Sequence, residues 1–253
     1  MGWGDEIMAL GQAETLWLRD GRKRQIVDHK GKPRWSPVWE HHPAIVRDPD
    51  EDAVILRNGP GCRPYLQYPF IREAGAGFTN WRARDHRGRL HLAPEERARA
   101  LFVAPDTPFV VIEPGLKPAS NPNKQWGKWW SFTRYRKDIL FVQLGPQGTE
   151  ILDGVLHIET PDFRFACAVL ALAQAAVLPE GGLHHAAAAL GVPAVVIFGG
   201  HTHPETTGYP EHGNIFSSPD GQACGYWEPC DHCVGAMASI SVRTVSNAMD
   251  KLI

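Results

Sequence analysis

Residues 175–200 read AAVLPEGGLHHAAAALGVPAVVIFGG, and the fold follows from how this stretch divides. Ala176, Val177 and Leu178 form a short apolar run, stopped by Pro179-Glu180-Gly181-Gly182. Leu183 to Leu190 is dominated by alanine, the best helix former. Gly191 stands just past that run, with Pro193 two residues on, the pattern of a helix stop. Residues 194–198, AVVIF, are continuously apolar, as in a parallel strand covered on both faces. The order is strand, tight loop, helix, strand. A glycine pair opening a helix lets backbone N–H groups approach a ligand. The helix N-terminus adds orphan donors and a positive dipole end, a combination suited to a phosphate. The spacing is neither GxGxxG nor a P-loop, so it describes an ordinary βαβ connection equally well.

The same alternation extends outward. Strands are expected at 109–112, 140–144 and 155–158. A helix follows, opened by Thr160 as cap and Pro161 at its first position and running to about Gln174. Cys167 lies in its apolar run and reads as inert core. Pro204 to Gly221 is expected to be loop-rich. Ser241 caps a last helix, with Ile240 and Val245 as a hydrophobic staple. Upstream, short strands are expected at 25–28 and 53–56, and a helix begins at Pro94. Residues 1–18, MGWGDEIMALGQAETLWL, pass from a Gly-x-Gly-Asp turn straight into a helical pattern whose apolar face is Ile7, Leu10, Ala13, Leu16 and Leu18. A first strand before that helix is missing or reduced to Met1–Trp3. Asp5 at such a turn suits a helix N-cap. Strands alternating with helices in both halves predict an α/β fold.

Composition narrows the classes. The 253 residues suffice for two modest domains or one large one, with 43% hydrophobic and 21% charged residues, ordinary for a globular chain. Lysine plus arginine total 26 against 28 acidic residues, which gives no argument for a polyanionic partner. Asp5 and Glu6 stand where a signal peptide would be basic, and the longest apolar stretch, 165–173, is too short to span a bilayer. Five cysteines, an odd number in a chain long enough to build a core, fit a reducing cytoplasm.

Two clusters could carry other chemistry. Residues 124–137, KQWGKWWSFTRYRK, interleave aromatics with cations, as in a surface that stacks single-stranded nucleic acid, but also as in an amphipathic helix. The amphipathic helix is the preferred reading. Cys224, Cys230, His232 and Cys233 in CGYWEPCDHC could make a tetrahedral zinc site. Their spacing is not that of a standard zinc knuckle and adjacent His232 and Cys233 are awkward co-ligands, so no metal is expected. Arg63, Arg72, Arg82 and Arg84 could face an acidic acceptor or simply be solvated.

The stretch from Glu180 onward resembles the signature of the bacterial heptosyltransferases, glycosyltransferase family 9. That signature runs Asp-Thr-Gly-x-x-His-x-Ala-Ala-Ala-Leu-Gly-x-Pro, then an apolar strand ending Phe-Gly. Glu180 replaces the aspartate and Gly181 the threonine. His185 falls on the family histidine and His184 is additional. Residues 198–209, FGGHTHPETTGY, resemble the Phe-Gly-x-Thr-x-Pro-x-x-Thr segment through Thr202, Pro204 and Thr207. Lys124-Gln125-Trp126, after Glu113-Pro114-Gly115, fits a Lys-x-Trp motif.

The resemblance implies GT-B, two Rossmann-like domains facing a cleft. An abbreviated acceptor-side domain would span 1–105 and a nucleotide-sugar domain 106–253. It implies inverting transfer of a heptose-like or hexose sugar from an ADP-, GDP- or UDP-sugar to a glycan hydroxyl, of the lipopolysaccharide type. Asp5 would be the base. Lys124, Gly115, Glu180, Gly181, Gly182, Leu183 and His185 would hold the donor. No cofactor is expected, nucleic acid is not the expected partner, and peripheral membrane association is compatible with the reading. The alternatives are a protein or nucleic-acid acceptor, a sugar-nucleotide epimerase or hydrolase of the same fold, and a nucleotide-sugar binding protein without catalysis.

Overall fold

The structure, a computed structural model, describes residues 1–49, 51–60, 62–66, 83–115, 122–226 and 228–253. It opens with helix α1 (Trp3–Asp20), then strands β1 (Arg24–Val27), β2 (Ile45–Val46) and β3 (Val54–Arg57). These strands form a three-stranded parallel sheet in the order β2-β1-β3. Helix α2 (Pro94–Val103) leads to a second sheet. Its elements are β4 (Val110–Ile112), α3 (Trp129–Tyr135), β5 (Phe141–Gly145), β6 (Leu156–Glu159), α4 (Phe163–Leu170), β7 (Ala175–Pro179), α5 (Gly182–Leu190), β8 (Ala194–Gly199), α6 (Pro204–Thr207), β9 (Gly213–Phe216), α7 (Asp231–Ser239) and α8 (Val242–Met249). The six strands are parallel, in the order β6-β5-β4-β7-β8-β9. The chain therefore winds outward from β4 in both directions, and the order reverses between β4 and β7. That switch point is where open α/β sheets bind ligands, beyond the carboxyl ends of the strands.

Both faces of the larger sheet are covered, which is why its central strands read as unbroken apolar runs. Along β4, β7 and β8 the side chains alternate between two cores. Val110, Ile112, Ala175, Val177, Val195 and Ile197 face Trp126, Phe132, Met237, Val245 and Met249. Val111, Ala176, Leu178, Val196 and Phe198 join a core built from α4, α5 and the N-terminal elements, with Ile7, Leu10, Ile26, Trp39 and Leu56. Helix α1 lies against α5 and α2 against α4, so the small sheet reaches the large one through its helices. Gly4 makes that packing close: a Cβ there would stand 2.5 Å from Cδ2 of His185. Gly191 ends α5 in the left-handed region, at φ 73°.

Several local expectations are corrected. As expected, the described residues hold no strand before α1, which starts at Trp3; Asp5, however, is its third residue and not its cap. Gly2 occupies the cap position, and its N–H donates to Asp5 Oδ2 at 3.1 Å. The last turn of α1 turns outward, leaving Leu18 exposed. The single helix expected over 124–137 is a 3₁₀ turn at Pro122–Lys124 followed by the shorter α3. Helix α4 is capped by Asp162, whose carboxylate accepts from the Phe165 N–H at 2.8 Å, and it ends at Leu170. Asp162 is better placed than Thr160 because a carboxylate two residues further on reaches the orphan donors of the first turn. The loop expected over 204–221 includes α6 and the edge strand β9. Ser241 caps α8 as expected, accepting from the Thr244 N–H at 3.0 Å, with Ile240 and Val245 buried.

Candidate active site at the carboxyl ends of the central strands

Three connections converge beyond the switch point. β4 runs into Glu113-Pro114-Gly115, β7 into Glu180-Gly181, and β8 into Gly200-His201. Helix α5 starts there with Gly181 as its N-cap and no side chain capping it, so backbone donors remain at the tip. Gly182 lies close to α1, since a Cβ there would meet the Trp3 Cβ at 3.1 Å. Trp3 itself stacks on Phe163 with ring centroids 4.9 Å apart.

The side chains brought together are Lys124, Glu180, His185, Thr207 and Tyr209. The Lys124 ammonium donates to Glu180 Oε2 and forms an ion pair with it, although the two residues are far apart in sequence. The other carboxylate oxygen, Oε1, accepts from Thr207 Oγ1 at 3.2 Å and lies 3.7 Å from His185 Nε2. The second ring nitrogen of His185 is 2.8 Å from the Tyr209 hydroxyl. Glu180 is only 6% exposed and His185 2%. Burial disfavours the ionised carboxylate, but the Lys124 charge and the His185 contact outweigh it and hold Glu180 well below the usual carboxylate range. Burial and the Lys124 charge lower His201 to about 4. Burial pushes the Tyr209 hydroxyl above its ordinary value, so it remains protonated.

Behind this row lies a packed group of rings. His184 is fully buried against His185, Phe198, Tyr209 and His212. Desolvation keeps its imidazole well below its ordinary value and hence neutral. Glu180, His184 and His185 offer ligand atoms within 4.8 Å of one another, but the Lys124 ion pair already occupies the carboxylate.

Asp5 sits beside this cluster, one residue after Gly4, whose Cα faces the His185 ring. Its Oδ1 accepts from the Tyr65 hydroxyl at 2.5 Å and lies 3.1 Å from Arg63 Nη1. Arg63 thus meets a carboxylate of its own chain. Arg84 is exposed, and Arg72 and Arg82 lie outside the described residues. Gly115 is exposed at the end of the β4 loop, with nothing within 4 Å of a Cβ. Of the expected donor residues, Lys124, Glu180, Gly181, Gly182, Leu183 and His185 fall at one place. Tyr209, Tyr65 and the cap on Gly2 were not legible. Tyr209 closes the quoted 198–209 segment, but nothing in its spacing points at His185.

Residues 161–229, which include Glu180, the α5 N-terminus, His185 and Thr207, match the sequence profile described as glycosyltransferase family 9 (heptosyltransferase). Over this stretch, just over a quarter of the chain, the sequence is similar to glycosyltransferase family 9. Several solved structures are similar to this chain. The glycosyl transferase family 9 structure from Veillonella parvula is 15% identical, over 100% of this chain and 94% of that one, with a TM-score of 0.66. The Escherichia coli heptosyltransferase WaaC with ADP is 12% identical, over 100% and 98%, with a TM-score of 0.60. The E. coli ADP-heptose LPS heptosyltransferase II is 19% identical over 65% of this chain, a match spanning about half, 53%, of that protein, with a TM-score of 0.48. Among curated proteins, none matches the sequence. At these identities the structures establish the fold alone, the GT-B arrangement of parallel α/β units. Among the described residues no helix is long and apolar enough to cross a membrane.

Proposed function

We propose that this chain is an inverting glycosyltransferase that moves a sugar from a nucleotide diphosphate to a hydroxyl of a lipopolysaccharide-type glycan, its donor held at the α5 tip. The observation that carries the reading is the Lys124–Glu180 pair beside the uncapped N-terminus of α5, at the switch point of the sheet. A diphosphate there would meet a lysine ammonium and the orphan N–H donors of residues 182 and 183. Both oppose the negative charge that grows as the glycosidic C–O bond breaks. Glu180, held ionised, would accept from sugar or ribose hydroxyls and would share Lys124 with the phosphates. His185, fixed by Tyr209, would sit behind the diphosphate.

Asp5 is the proposed base. It would take the proton of the acceptor hydroxyl as that oxygen bonds to the anomeric carbon, on the face opposite the departing diphosphate. Tyr65, Arg63 and the Gly2 N–H orient its carboxylate. The arginine must yield part of its contact for the carboxylate to accept a proton, since an opposing charge lowers basicity. The proposed domains are 1–105 on the acceptor side and 106–253 on the donor side.

The test is a melting-temperature screen with ADP-, GDP- and UDP-sugars, followed by product analysis with the stabilising donor. A specific donor stabilises by mass action, by about 2.7 kcal/mol at a hundred times its Kd. Stabilisation by one nucleotide sugar with release of its nucleoside diphosphate, dependent on a glycan acceptor, is expected. Stabilisation with no transfer to any acceptor leaves a binding protein, and stabilisation by none removes the reading.

A further inference from the structure

We propose that Cys224, Cys230 and Cys233, completed by His232 Nδ1, form a binding site for one thiophilic divalent cation of the zinc or ferrous type. The spacing in the chain argued against this, but the fold draws the residues together. The Cys224 sulfur lies 3.1 Å from that of Cys233 and 3.7 Å from that of Cys230. All three sulfurs fall within 4.8 Å of one another. With a metal–sulfur bond of about 2.3 Å, the edge of a tetrahedron is about 3.8 Å. The cysteines are free thiols, so no covalent bond accounts for their convergence.

The supporting groups match what such a cation needs. Cys230 is the N-cap of α7 and Cys233 lies in its first turn, so one helix start presents two of the three sulfurs. His232 Nε2 lies 3.2 Å from Asp220 Oδ1 and 3.0 Å from Ser218 Oγ. With its proton on Nε2 and donated to Asp220, the ring keeps the Nδ1 lone pair, 3.9 Å from the Cys233 sulfur. A carboxylate on the far nitrogen is the usual way a ligating imidazole is oriented. Binding would displace the three thiol protons to solvent, and three thiolates on a divalent ion leave one net negative charge.

The site would clamp the segment that carries Lys124. Asn123, its neighbour, donates to the carbonyls of Tyr226 at 2.8 Å and Glu228 at 2.7 Å and accepts from the Cys230 N–H at 3.2 Å. The Cys224 N–H donates to the Gly200 carbonyl at 2.9 Å, at the end of β8. A cation at the cysteines thus joins the end of β8, the start of α7 and the turn at 122–124.

The experiment uses full-length protein purified without a metal-affinity column or chelator. Elemental analysis should find one zinc or iron per chain, and Cys230→Ser and Cys233→Ser should lose it. Cobalt added to chelator-treated wild type should give thiolate charge-transfer absorption and tetrahedral ligand-field bands, a readout independent of whether the serine variants fold. Asp220→Asn should weaken metal affinity roughly tenfold to a hundredfold. Metal-free protein whose three thiols stay reactive or pair as a disulfide, and which binds no cobalt, would overturn the proposal. So would stoichiometric metal in Cys233→Ser. Weaker ADP binding after metal removal is also expected. That arm rests on the functional reading above, whereas the stoichiometry does not.

Discussion

Lys124→Ala separates the structural work of the lysine from its proposed work on the donor. The substitution leaves Glu180, whose side chain is 7% exposed, without its cation, while Lys124 itself is 19% exposed. Removing one partner of a buried pair costs about 3–5 kcal/mol, because the remaining charge is stranded. Lys124 is partly open to water, and Thr207 and His185 stay at the carboxylate, which places this site at the lower end, about 3 kcal/mol. In a chain of this size each kcal/mol is about 2–4 °C, so the melting temperature should fall by roughly 6–12 °C. Adding Glu180→Gln removes the stranded charge, retains an acceptor for Thr207, and should restore most of the loss. Calorimetric titration with ADP should then find the folded double variant still weakened. The loss of a charge-assisted contact, about 1.5–3 kcal/mol, is roughly tenfold to 150-fold in Kd. A Lys124→Ala protein that melts within the error of wild type, or a double variant no more stable than the single one, would refute the claim that this ion pair is buried and coupled.

Other outcomes follow from the same geometry. Asp5→Asn keeps an acceptor oxygen for the Gly2 N–H and places an amide N–H that can donate to the Tyr65 hydroxyl oxygen, so melting and donor binding should stay near wild type while transfer falls roughly 10²–10⁴-fold; full activity would leave Asp5 as helix scaffold only. Gly4→Ala drives a methyl into the His185 ring and should cost about 1–3 kcal/mol in urea unfolding; an unchanged midpoint would mean α1 does not press on α5. Burial lowers His42, His86 and His212 to about 4, so the unfolded chain binds more protons than the folded one between that value and about 6.5. Their contribution is fully present above about pH 6.5 and is lost as pH falls through about 4, so urea midpoints should drop steeply between pH 6.5 and 4. A flat profile there would place these rings in water.

Much of the fold was legible because its signals are local. The 175–200 stretch announces strand, helix and strand through chemistry that each segment carries by itself: alanine propensity, a glycine stop, an apolar run. The cap and staple of α8 are equally local. The expected donor residues were legible only through likeness to a known signature, since a glycine pair before a helix is common. What remained hidden depends on contacts between distant segments. Strand β9 is short and half-buried, with a burial pattern that gives no alternation, so nothing in its residues distinguishes it from loop. Asp162 replaces Thr160 as the α4 cap because chain geometry, not residue type, selects between two good caps.

The sequence by itself determined the α/β class and the parallel character of the central strands, properties of propensity and periodicity written within a few residues, while the candidate donor groups were named through likeness to a known signature. Only the tertiary structure decided which of those groups meet. Glu180 finds Lys124, His185 finds Tyr209, Asp5 finds Tyr65 and Arg63, and three cysteines with an unpromising spacing close on one point. Such pairings are set by the order in which strands join a sheet and by how closely helices pack on it. A buried charge then accepts the partner that this packing supplies, because leaving it unpaired costs more than any local preference can offset.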